Sequence, residues 1–365
     1  MRFIDIQKQY QSYKQEIDDA IASVLEKGNF ILGEEVQTLE EELAKFVGVK
    51  HCLTVSSGTD SLLIALMALE IGPGDEVITT PFTFFATAEV IALVGAKPVF
   101  VDIEPDTYNI DIDQIESAIT HKTKAIMPVS LFGQMPDYSK INAIAEKYNL
   151  PVIEDGAQSF GATQNNKRSC GVTTIGSTSF FPAKPFGCYG DGGALFTNDS
   201  ALEDKMRSIR THGSQKRYEH PYLGINGRCD TLQAAIMLAK LPHFPKEVEA
   251  RHQIGARYSE KLKDCINVPT IMKGNTHVYA QYTVRASNRD ELSALLKERD
   301  IPTAVYYPKC LHKYPFFSST EQSLPVAEKA ADEVLSLPMH PWLEEESQDK
   351  VIQSIQETVN EKAIV

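Results

Sequence analysis

The sequence predicts an α/β protein: a large unit with a mostly parallel central sheet flanked by helices, then a smaller C-terminal α+β unit. Three observations predict it. From about residue 50 to 200, short apolar runs rich in β-branched residues alternate with helix-periodic stretches, the pattern of parallel strands joined by covering helices. The chain has 365 residues, 42% hydrophobic and 23% charged, enough for about two domains with substantial cores. A long helical stretch over residues 231–265, interrupted around Pro242 and Pro245, precedes a region of different pattern. The boundary is therefore expected near residue 245, giving units 1–245 and 246–365.

The expected strands of the large unit are "HCLTV" (51–55), "EVITT" (76–80), "KPVFVDI" (97–103), "KAIMPVS" (124–130) and "PVIED" (151–155). Between them, "SLLIALMALEIG" and "YSKINAIAEKYNL" have helical periodicity. In the smaller unit "YAQYTVRA" and "TAVYYP" read as strands, with "NRDELSALLKERD" as a helix between them. Folds of this kind place ligands at the carboxyl ends of their parallel strands.

Composition excludes several classes. A net charge of −13 argues against a nucleic-acid partner, whose phosphates demand a basic face. The N-terminal "MRFIDIQKQYQSYKQEIDDAI" is charged throughout, unlike a signal peptide, and no run approaches the roughly 18 apolar residues of a membrane span. Six scattered cysteines without C-x-x-C spacing read as reduced thiols, neither disulfide framework nor metal site. The expectation is a cytoplasmic protein without membrane or nucleic-acid partners.

Polar groups cluster at the expected strand ends. After the first strand, Ser56, Ser57, Gly58 and Thr59 open an apolar helix; such a start is either a plain cap or a phosphate site made of free N–H groups and the positive dipole end. Asp155 ends a strand that should be buried on both faces, with Gln158 three residues on. An acid there can be a turn residue, a cap or a ligand group. Aromatic residues crowd "TTPFTFFATAEVI", as core or as a stacking surface. In "TSFFPAKPFGCYGDGGALFTND", Lys184 lies between Pro182 and Pro185 before a glycine-rich turn, with Ser179 five residues earlier. Most lysines are simply solvated. Together, though, a phosphate cradle, a carboxylate, a stacking aromatic and a constrained amine are what pyridoxal 5′-phosphate requires.

From "FIDIQKQY" and "NFILGEEV" through that lysine segment to "LSLPMHP", nearly the whole chain resembles the DegT/DnrJ/EryC1/StrS sugar aminotransferases. The resemblance implies a fold type I aminotransferase using pyridoxal phosphate, glutamate as amino donor and a homodimer with shared active sites. It implies that Lys184 forms the Schiff base and moves the proton, that Asp155 pairs with the pyridinium nitrogen and that Gln158 contacts the ring hydroxyl. Phe84 would stack on the ring, and Gly58, Thr59 and Ser179 would hold the phosphate, helped by Asn226 of the neighbouring subunit. Arg228, Tyr306 and Tyr307 are candidate substrate contacts, and Lys309 is an alternative cation. Local likeness in "PVSLFGQ", "NKRSC" and the lysine segment is to UDP-2-acetamido-2-deoxy-3-oxo-glucuronate aminotransferases of surface-polysaccharide pathways, such as lipopolysaccharide O-antigen synthesis. Amination at C4 of a UDP-4-keto-6-deoxy sugar is the alternative.

Overall fold

The computed structural model describes residues 1–317 and 322–362. Helices Ile6–Ser12, Lys14–Lys27 and Glu34–Val47 lead into the sheet strands β1 (His51–Val55), β2 (Glu76–Thr79), β3 (Lys97–Phe100), β4 (Thr123–Ile126) and β5 (Ile153–Asp155). A short hairpin, β6 (Thr163–Gln164) and β7 (Lys167–Arg168), precedes β8 (Ile175–Ser179) and β9 (Gly193–Thr197). The sheet runs β3-β2-β4 and then β5-β8-β9-β1, the two parts joined by parallel bridges Ile126–Val152 and Val129–Asp155. All five expected strands form; β1 spans its whole apolar run, and the other four are shorter than the runs that announced them.

The sheet is mostly parallel, and β9 is the exception. It runs antiparallel to both neighbours, with Leu195 opposite Leu53 on one side and Ser177 on the other. The cause is the 180–192 segment, whose prolines and glycines cannot make the crossover helix that a parallel return needs. The chain therefore turns straight back. As a result the carboxyl ends of β1, β5 and β8 and the lysine-bearing loop all meet at one edge.

Helix Gly58–Ala68 packs on the sheet through Leu62, Ile64, Ala65 and Leu66, all nearly or wholly buried. Beside it, Glu40 is 7% exposed and accepts from the Thr54 amide (2.9 Å), Arg210 (2.7 Å) and Arg207 (3.1 Å). Arg210 is itself 3% exposed. Replacing Glu40 by alanine leaves that guanidinium buried and unpaired, an expected loss of about 3–5 kcal/mol. Chemical denaturation of variant and wild type measures it, and an unchanged midpoint would refute it.

The C-terminal region builds a second core on helix Phe244–Leu262 and the antiparallel pair β10 (Tyr282–Arg285) and β11 (Val334–Leu337). Tyr258, Tyr282, Leu292, Leu335, Val351 and Ile355 fill it. The expected helical stretch is real but divided, with a short turn at Leu241–His243 carrying Pro242. We propose this turn as the junction of the two units. "TAVYYP" does not form the expected strand: only Ala304 pairs, with Ser336. Tyr306 and Tyr307 turn into a cleft instead, and Pro308 has no N–H to continue a ladder. The N-terminal segment crosses to this second core. The Phe3 carbonyl accepts from Met339 N–H at 3.2 Å, Lys8 pairs with Glu344 at 2.6 Å, and Tyr13 stacks on His243.

Candidate active site

At the shared strand edge lies a cleft of about 670 Å³. One wall is the start of helix Gly58–Ala68. Ser57 caps it, accepting from the Asp60 N–H at 3.0 Å, and Ser61 N–H bonds the Ser57 carbonyl at 3.0 Å. Among the described residues, the N–H groups of Gly58 and Thr59 meet no acceptor, so they and the helix dipole face the cleft as an anion site. A Cβ on residue 58 would lie 2.5 Å from the Ser179 Cβ. Only glycine lets the end of β8 close this cradle.

At the end of β5, Asp155 is 6% exposed. Its carboxylate accepts from the Thr87 hydroxyl at 2.8 Å and the Ala157 amide at 3.2 Å. Burial raises its pKa above the ordinary range, against the pull of those two donors and of the Lys184 charge. Buried acids of this kind wait for a cation. Gln158 follows on a turn rather than a helix; its Oε1 accepts from Phe132 N–H at 2.7 Å and its amide donates to the Tyr307 hydroxyl at 3.0 Å. Phe84 stands over the cleft, 56% exposed, its ring 6.3 Å from that of Tyr307.

The lysine loop is braced from beneath. Phe180 N–H bonds Gly192 O at 2.8 Å, Cys188 N–H bonds Phe180 O at 2.7 Å, and Lys184 N–H bonds Phe181 O at 2.8 Å. Buried Lys240 donates to the Gly187 carbonyl from below. The Lys184 amine makes no hydrogen bond among the described residues. Burial lowers its pKa, and the Asp155 carboxylate opposes the shift. A lysine so placed is nearer to a free, nucleophilic amine than a solvated one.

Gly58, Thr59, Phe84, Asp155, Gln158, Ser179, Lys184, Tyr306 and Tyr307 all line this cleft, as does Lys309. Asn226 and Arg228 do not. They lie in the segment paired to Thr211 and to Val55 at the end of β1, Asn226 exposed and Arg228 with its Nε buried and unpartnered among the described residues. Thr87 was not foreseen, although its four-residue spacing from Thr83, which it meets at 3.1 Å, was visible. Gln281 also lines the cleft, and nothing in its local sequence announced it.

A profile of the DegT/DnrJ/EryC1/StrS aminotransferase family matches residues 11–356. The chain is 54% identical to a UDP-2-acetamido-2-deoxy-3-oxo-D-glucuronate aminotransferase of Pseudomonas aeruginosa, covering 94% of this chain and 96% of that protein. It is 49% identical to a pleiotropic regulatory protein of Geobacillus stearothermophilus, over 97% of both. A UDP-N-acetyl-3-dehydro-α-D-glucosamine 3-aminotransferase of Acidithiobacillus ferrooxidans is 42% identical over 98% and 97%. Among solved structures, a DegT/DnrJ/EryC1/StrS aminotransferase from Brucella abortus superposes with a TM-score of 0.96 at 45% identity, covering 98% of this chain and 99% of that one. The NtdA protein of Bacillus subtilis with bound cofactor PMP superposes at 0.90 with 32% identity, covering 96% and 82%.

Proposed function

The chain belongs to the DegT/DnrJ/EryC1/StrS aminotransferase family, and from that premise we propose that it moves an amino group from glutamate to the 3-oxo group of UDP-2-acetamido-2-deoxy-3-oxo-glucuronate. The observation that carries a transaminase reading is the convergence, in one cleft, of unpaired Lys184, buried Asp155 and the open amides of Gly58 and Thr59. The residues fit pyridoxal phosphate: the cradle closed by Gly58 and Ser179 suits its phosphate, and the under-compensated Asp155 suits a pyridinium. When bound, that group supplies an aldehyde for the amine and a ring that withdraws electrons.

The chain's own residues do the rest. Gly58 and Thr59 N–H groups and the Ser179 hydroxyl would hold the phosphate, Phe84 would cover the ring, and Gln158 would meet the ring hydroxyl. Asp155, kept in place by Thr87, keeps a positive charge opposite it. Lys184 Nζ accepts the proton from the donor's carbon and returns one at the acceptor's, acting as base and then acid. Tyr306 and Tyr307 wall the sugar side, with Lys309 as the cation on that wall. The site is completed in a dimer, where Asn226 of one subunit reaches the phosphate cradle of the other and brings Arg228 near the substrate. The setting is the cytoplasmic synthesis of a surface polysaccharide. No helix among the described residues is long and apolar enough to cross a membrane.

Amination at C3 rather than C4 is favoured by the names of the relatives that are 54% and 42% identical, and the uronate by the first of them alone. A regulatory role, as in the name of the 49% relative, is disfavoured by the intact set of Lys184, Asp155 and Gln158. The test couples the purified enzyme to the dehydrogenases that make the 3-oxo sugar, adds glutamate, and identifies the product by NMR. The expected product is the 3-amino uronate. Clean amination of UDP-4-keto-6-deoxy-N-acetylglucosamine with no reaction in the coupled assay would overturn the reading.

A further inference from the structure

Gln281 precedes β10 and is 8% exposed, yet its side chain makes no hydrogen bond among the described residues. Its Oε1 is wholly buried without a partner. Buried side-chain amides are nearly always satisfied, because leaving one unmade costs about 1–3 kcal/mol. Two cavities meet at this residue. One is the cleft, and the other is a closed space of about 10 Å³ lined with Thr107, Phe132, Gln134, His277 and Thr283. The second is about the size of a single water. The Nε2 end makes no hydrogen bond among the described residues either, and Gln281 lines the cleft, where that donor is available to a ligand.

The backbone fixes where this amide stands. Gln281 N–H bonds the Phe132 carbonyl at 3.4 Å, while Phe132 N–H is held by Gln158 Oε1 at 2.7 Å. Gln281 therefore shares one wall with Gln158 and with Tyr307, the partner of Gln158. No charged residue on that wall competes for it; the charged groups lining the cleft are Asp155, Lys184, Asp191 and Lys309.

We propose that the Gln281 side-chain amide is a specificity-determining contact, donating from Nε2 to an oxygen substituent of the bound keto sugar. It selects an oxygen acceptor over an apolar or hydrogen-only position. Hydroxyl and carbonyl oxygens accept from it and a carboxylate oxygen more strongly, without a desolvated charge on the protein side. The contact rests on the reading of the cleft as a keto-sugar site, but it makes a separable demand. Glutamate reacts in one half of the cycle and the sugar in the other, so a sugar contact affects only the second.

The experiment uses the cofactor-loaded holoenzyme and whichever keto-sugar nucleotide the wild type aminates. Gln281→Leu keeps the volume and removes the hydrogen bond. Its kcat/KM for the sugar is expected to fall about tenfold, mainly through KM. The glutamate half-reaction, followed alone by the change in cofactor absorbance, should stay within about twofold, the scale of a lost neutral contact elsewhere. Gln281→Glu, nearly isosteric, keeps the test alive if the leucine variant folds poorly. It should raise KM further for a uronate than for an uncharged sugar, through like-charge repulsion. Unchanged sugar kinetics in both variants would overturn the proposal, leaving the amide satisfied by water alone. Equal losses in both half-reactions would also overturn it, reducing Gln281 to a packing residue. Failure of the wild type on every keto sugar would instead sink the functional reading.

Discussion

Lys184→Ala is expected to abolish turnover, a loss of about 10⁴-fold or more, because it removes both the amine that bonds the cofactor and the group that moves the proton. The fold should survive. The bonds that shape the loop are from backbone groups, Phe180 to Gly192 and Cys188 to Phe180, and from Lys240 to the Gly187 carbonyl. None uses the Lys184 side chain. Circular dichroism and the unfolding midpoint should match wild type while activity disappears. Borohydride reduction of the wild-type enzyme should fix the cofactor on the peptide that contains Lys184. Label on another lysine would refute the assignment. The same variant reports on the dimer. Mixed with Asn226→Ala and allowed to exchange subunits, it should regain activity, since each mixed dimer has one site with both residues intact. Proven exchange without recovery would count against a shared site.

Asp155→Asn is the second large effect, expected to lower kcat roughly 10²–10³-fold, the size of losing one preorganised charge in a dry site. Asparagine keeps the shape and can still meet Thr87, but it cannot stay negative opposite a pyridinium. Stability should move the other way. Burial raises this carboxyl above its ordinary pKa, so holding it in the folded, cofactor-free protein costs stability at pH values above its ordinary range. That cost is present above the folded pKa and fades as pH falls below it. The cofactor-free variant should therefore be at least as stable as wild type at pH 7 and lose the advantage in acid. Full activity in the variant, or a large drop in stability at pH 7, would contradict the role assigned to this acid. Such a trade of stability for activity marks a functional carboxylate.

The part of the site visible in the sequence is the part the topology makes inevitable. The ends of β1, β5 and β8 meet because those strands run the same way. Gly58 and Asp155 were legible at the ends of two expected strands, whereas β8 was not expected, and Ser179 and Lys184 were joined to them by the needs of the cofactor and by the family resemblance. The antiparallel return of β9 follows from the same prolines that singled out Lys184. Other features depend on distant chain. Thr87 reaches Asp155 across 68 residues, and Tyr307 reaches Gln158 across 149; no local periodicity encodes either. "TAVYYP" misled because its β-branched and aromatic residues serve the cleft and not a ladder. Gln281 carried no signal at all, since an unmet hydrogen bond is a property of the packed state. Asn226 and Arg228 lie outside the cleft of their own chain, so their proposed roles need a second copy.

The crossing N-terminal segment imposes an order on assembly. Phe3 and Lys8 meet Met339 and Glu344 across a sequence separation of 336 residues. Contacts of such separation form late, because the loop between them must close first. The chain can pair β1 with β9 and seat the lysine loop before the N-terminal segment docks. The seam between the N-terminal segment and the stretch 339–344 is then sewn last, so loosening it would slow that closing step while leaving the sheet to form at its usual pace.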